Sequence, residues 1–132
     1  MATNSGWATW RGRVTLAIGA TLCAAGLSRA GVIEGQATYL PTGLYARCIV
    51  TNASKSDKTI QSEAINQDGS VYANFGPETV APGATLVTYL LGNGGSFLRC
   101  RWTVEGSPAQ YRASMCTTLT PGSACYVQVP AN

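Results

Sequence analysis

Apolar and polar side chains alternate with a period of two along most of this chain, and two distant stretches do so most clearly. Over residues 97–104, Leu98, Cys100, Trp102 and Val104 fall on one parity, with Phe97, Arg99, Arg101 and Thr103 on the other. Over residues 45–51, Ala46, Cys48 and Val50 alternate with Tyr45, Arg47, Ile49 and Thr51. A period of two with one apolar side is the signature of a half-buried β-strand, since successive side chains point to opposite faces. Each stretch brings one cysteine to its apolar side.

Shorter runs fill the rest. Residues 37–40 stop at the turn signal Pro41-Thr42-Gly43, and residues 31–36 are either a first strand or a tail. Residues 58–65 alternate imperfectly and read as a strand near an edge. Asn66-Gln67-Asp68-Gly69 is a hairpin signal, residues 71–75 return from it, and Gly76-Pro77 ends that strand. Pro82-Gly83 turns the chain into residues 85–91. Residues 110–117 and 124–129 supply the last two strands. The pattern predicts an all-β, antiparallel, immunoglobulin-like sandwich of seven or eight strands, with two sheets about 10 Å apart. Trp102 would sit at its centre.

The N-terminus reads differently. Residues 1–13 hold Arg11 and Arg13 and no acid, residues 14–27 are uncharged, and Ser28-Arg29-Ala30 places small residues before a cut ahead of Gly31. A basic flank, an apolar stretch too short to span a bilayer and a small-x-small site predict a signal peptide over 1–30 and a single domain over 31–132. Leu22 before Cys23 argues against a lipoprotein site. Export would leave no membrane span and would place the chain in the periplasm or outside the cell.

Removing residues 1–30 changes the electrostatics. The formal charge of +3 includes Arg11, Arg13 and Arg29. Without them, Arg47, Lys55, Lys58, Arg99, Arg101 and Arg112 balance Glu34, Asp57, Glu63, Asp68, Glu78 and Glu105. A neutral exported chain has no electrostatic footprint for nucleic acid.

Four cysteines remain: Cys48, Cys100, Cys116 and Cys125. An even number in an exported chain predicts two disulfides, with three connectivities open. Parity favours Cys48 with Cys100, and the Pro121-Gly122 turn favours Cys116 with Cys125. Chain-entropy arguments give about 4 kcal/mol for the long loop and about 2.5 kcal/mol for the short one. With no histidine and no Cys-x-x-Cys pair, no metal site and no cofactor are expected.

Taken together, Cys48-Ile49-Val50-Thr51-Asn52, Asp68-Gly69, Ala81-Pro82-Gly83 and Cys100-Arg101 resemble features of a group of small exported bacterial β-sandwich proteins. That likeness implies fold and export but no established activity. A tryptophan beside an inter-sheet disulfide is also distantly similar to immunoglobulin-like sandwiches, although here Trp102 follows the second cysteine instead of lying between the two.

Chemistry is conspicuous by what is missing. Without histidine, Ser/His/Asp and Cys/His nucleophile systems cannot be assembled, and oxidised cysteines offer no thiolate; the chain is expected not to be an enzyme. Tyr45, Phe97, Arg99, Arg101 and Arg112 form a candidate binding patch, in which Arg112 joins the others only if its strand is adjacent. The loops 76–83 and 92–96 and the turn 106–109 are further candidate binding elements. Asn52-Ala53-Ser54 matches the N-glycosylation acceptor pattern, which is frequent by chance. Two functions fit: a module binding a surface glycan or a protein partner, or a structural subunit that self-assembles through strand edges or by donating residues 31–40 to a neighbour.

Overall fold

The structure, a computed structural model, describes residues 29–131; the signal peptide expected over 1–30 lies almost wholly outside the described residues. Among the described residues nine strands form: β1 (Ala30–Glu34), β2 (Thr38–Leu40), β3 (Tyr45–Asn52), β4 (Lys58–Asn66), β5 (Val71–Val80), β6 (Thr85–Leu91), β7 (Ser96–Glu105), β8 (Tyr111–Thr118) and β9 (Val127–Pro130). All pairings are antiparallel. The first sheet has the order β1-β7-β4-β5, with β2 also on β7; the second has the order β6-β3-β8-β9. No helix among the described residues is long and apolar enough to cross a membrane.

The two alternating stretches become β3 and β7, one in each sheet. Their apolar parities face each other, so Ala46, Cys48 and Val50 meet Leu98, Cys100, Trp102 and Val104 in one buried cluster with Ile33, Leu40, Ile60, Tyr111 and Met115. Cys48 and Cys100 bridge the sheets with their Cα atoms 5.8 Å apart. Cys116 and Cys125 form the second disulfide. Cys116 is on the outer parity of β8, opposite Arg47, yet it is fully buried.

Two strands differ from what their patterns suggest. β4 lies between β7 and β5 and not near an edge. Its alternation is blurred because both faces are covered: Ile60, Ser62 and Ala64 face the core, while Glu63 on the other side is also buried against Arg101. β5 runs on through Gly76-Pro77 to Val80. Gly76 has φ +74°, and the register with β4 shifts there, so a bulge absorbs the break. Pro77 is tolerated because β5 is an edge strand with a free side.

Side chains tie the connections to the core. The Asn52 amide donates to the carbonyls of Ser56 (2.9 Å) and Val80 (2.8 Å), and its Oδ1 accepts from the Ser54 amide (3.0 Å) and hydroxyl (2.7 Å). This fully buried side chain therefore pins the β3–β4 loop to the end of β5. Between β7 and β8 the chain crosses from one sheet to the other through a short 3-10 turn, Pro108–Gln110. There the Tyr111 hydroxyl donates to the Glu105 carbonyl at 2.6 Å, latching the start of β8 to the end of β7. Burial, then the nearby Glu105 carboxylate, raises the Tyr111 pKa above its ordinary value.

Candidate functional site

The five patch residues divide between the sheets. Phe97, Arg99 and Arg101 share the outer face of the first sheet on β7, whereas Tyr45 on β3 and Arg112 on β8 are on the second sheet. β8 pairs with β3 and β9, not with β7, so the adjacency that would have joined Arg112 to the other arginines is absent.

The two β7 arginines are engaged by carboxylates across the strands. Arg101 clasps Glu63 on β4 through Nε (2.8 Å) and Nη2 (2.7 Å), and Glu63 is only 8% exposed. Arg99 lies 3.6 Å from Glu34 on β1. Lys58 and Glu105 form a looser pair at 4.0 Å. Such cross-strand pairs neutralise the face and cover it with aliphatic stems.

The ends of β2 and β7 present a different surface. Register places Tyr39 opposite Phe97, and their rings lie 5.2 Å apart at an interplanar angle of 55°. Both are about half exposed, Tyr39 at 51% and Phe97 at 48%. They border an open depression of about 470 Å³ whose other walls are Asn66, Gln67, Asp68, Gly95 and Ser96. The polar wall is built by the β4–β5 hairpin. Gly69 takes φ +88° and its amide closes onto the Asn66 carbonyl at 3.0 Å. Asp68 is then held by the Ser70 hydroxyl (2.6 Å) and amide (2.9 Å), which lower its pKa. A carboxylate kept ionised and two neighbouring amides, of which Asn66 also donates to the Ser70 hydroxyl at 3.0 Å, thus stand beside an aromatic pair carried by β2 and β7. Apolar ring faces with a few convergent hydrogen-bonding groups suit a ligand that has an apolar face and a hydroxyl-bearing rim.

Of this site, Phe97 and the 92–96 loop were singled out from sequence. Tyr39 and the hairpin residues were not, because their grouping depends on β2 and β4 flanking β7, which alternation does not encode. Residues 31–40, considered above as a strand for donation, occupy their own β7 edge as β1 and β2. Among the described residues no group of three or more Cys, Asp or Glu is placed to hold a metal ion.

No family model matches the chain, and neither a curated protein nor a solved structure matches it.

Proposed function

We propose that this chain is an exported, non-enzymatic, immunoglobulin-like binding module whose ligand is a surface glycan. The observation that carries the reading is the half-exposed Tyr39–Phe97 pair beside the Asn66, Gln67 and Asp68 side chains. A sugar ring would lie against the aromatic faces, while its hydroxyls exchange hydrogen bonds with the amides and the Asp68 carboxylate. Export is supported by the signal-like residues 1–30 and by two disulfides, which belong to an oxidising compartment such as the periplasm or the exterior. The inter-sheet disulfide in one core cluster with Trp102 supports the immunoglobulin-like description.

Retardation of the oxidised protein in gels containing neutral polysaccharides tests the reading. At least one polysaccharide should slow the wild type, and Phe97→Ala and Tyr39→Ala should each weaken retention by about tenfold, roughly 1.4 kcal/mol. Equal retention of wild type and both variants on every polysaccharide would refute it.

A further inference from the structure

Charge is shared unevenly between the two sheets. The strands β6, β3, β8 and β9 contain no Asp or Glu, whereas Arg47 and Arg112 lie on the outer parity of β3 and β8. All three ion pairs among the described residues involve the first sheet, and none includes Arg47 or Arg112. A domain with balanced formal charge over residues 31–132 therefore carries a cationic face on its second sheet.

That face is shaped as well as charged. Arg112 donates from Nη1 to the carbonyls of Tyr111 (2.8 Å) and Ala109 (3.2 Å). The exposed guanidinium is thereby oriented by its own backbone, with Nη2 and Nε left for another acceptor. Beside it runs an open trough of about 580 Å³, with Ile49 and Pro130 as apolar lining and Thr51, Ser114 and Gln128 as polar lining. Arg47 lies 5.7 Å from the Tyr89 ring centroid, and its Nε is buried without a partner, so that only its terminal nitrogens can meet a ligand. Arg112 pairs with Thr51 and Arg47 with Cys116, which separates the two arginine Cα positions by about 14 Å at ~3.4 Å per residue and ~4.8 Å between strands.

We propose that the outer face of the second sheet binds a carboxylate-bearing polysaccharide. Arg112 takes one carboxylate through a charge-assisted hydrogen bond, and Arg47 takes another further along the polymer. Sugar hydroxyls use the hydrogen-bonding capacity left on Thr51, which shares a bond with Thr85 (2.7 Å), and on Ser114 and Gln128, which are bonded to each other (3.2 Å). Two unpaired cations on a surface without acids select an anion. Their spacing suits a polymer that repeats its carboxylate. The trough crosses β3, β8 and the edge strand β9 on their outer side chains, so an extended peptide lying in it would find no backbone ladder to join, whereas a polysaccharide needs none. This site is independent of the Tyr39–Phe97 platform, which is on the other sheet.

The test is titration of the oxidised chain with polygalacturonate, with poly-glutamate as a polypeptide of like charge and dextran as an uncharged polysaccharide. Polygalacturonate should bind, and more weakly as salt rises. Arg112→Gln should reduce affinity about tenfold, Arg47→Gln by less, and Arg112→Lys should restore only part of the loss. Phe97→Ala should leave this binding unchanged, so failure here and failure of the aromatic platform are separable. The proposal is overturned if polygalacturonate does not bind, if Arg112→Gln binds it as the wild type does, or if poly-glutamate binds equally well.

Discussion

Replacing Asn52 by alanine removes four hydrogen bonds from a fully buried position. The donated bond to the Val80 carbonyl is itself buried, so its loss strands an acceptor at the end of β5, at a cost of about 1–3 kcal/mol. The bonds to Ser54 and Ser56 are partly exposed and contribute less, since water replaces them. The expected destabilisation is about 2–4 kcal/mol, a large share of the total stability of a domain this small. Trp102 is the one tryptophan in residues 31–132 and is fully buried, so its fluorescence reports unfolding of the oxidised domain in urea. The midpoint should fall by roughly 1–3 M at the denaturant slope usual for small proteins. Asn52→Asp keeps the acceptor for Ser54, loses both donors and sets a charge against two carbonyls. It should be at least as damaging at neutral pH and partly recover in acid. A loss below about 1 kcal/mol for Asn52→Ala would refute the latch. The same geometry bears on the acceptor pattern at Asn52-Ala53-Ser54: both amide hydrogens are in use inside the protein, so the folded domain has no place for a glycan at that nitrogen.

Three further outcomes follow from the same structure. Replacing Cys48 and Cys100 together by alanine should destabilise the domain by about 4 kcal/mol from the long loop alone, readable in the same urea titration, and loss of the Cys116–Cys125 bond should cost less. Tyr111 has a raised pKa, so its neutral form is the one the fold favours. Its stabilisation is complete below its ordinary value of 10.0 and is lost as pH rises through the higher folded value; Tyr111→Phe should flatten that alkaline loss while lowering stability at neutral pH by about 1–2 kcal/mol. The Asp68 pKa is lowered, so its contribution is complete above the ordinary value of 3.8 and disappears as pH falls through the lower folded value; Asp68→Asn should remove that acid dependence from the thermal midpoint.

Much of the fold was legible because inward-facing residues repeat at a strict period. Leu98, Cys100, Trp102 and Val104 on one stretch and Ala46, Cys48 and Val50 on the other identified both core strands and the bond between them. What alternation specifies is a face and not a neighbour. Arg112 and Arg101 therefore looked combinable, yet they belong to different sheets, and Tyr39 gave no sign that it would meet Phe97. Polar residues misled where a partner satisfied them: Glu63 made β4 look like an edge because its bond to Arg101 is invisible along the chain. Gly76-Pro77 looked like a stop because a bulge on an edge strand needs the same residues as a turn. Along the chain Asn52 shows only as the start of a common acceptor pattern, while its four bonds depend on where Val80, Ser54 and Ser56 come to rest.

The most direct test of the functional account is a backbone amide NMR titration of the isotope-labelled, oxidised chain with the neutral polysaccharide that retards it most in gels, cut to short oligosaccharides. The account predicts shift changes concentrated at Tyr39, Asn66, Gln67, Asp68, Gly95, Ser96 and Phe97, with the second sheet unaffected. Changes centred elsewhere, or none at saturating oligosaccharide, would contradict it.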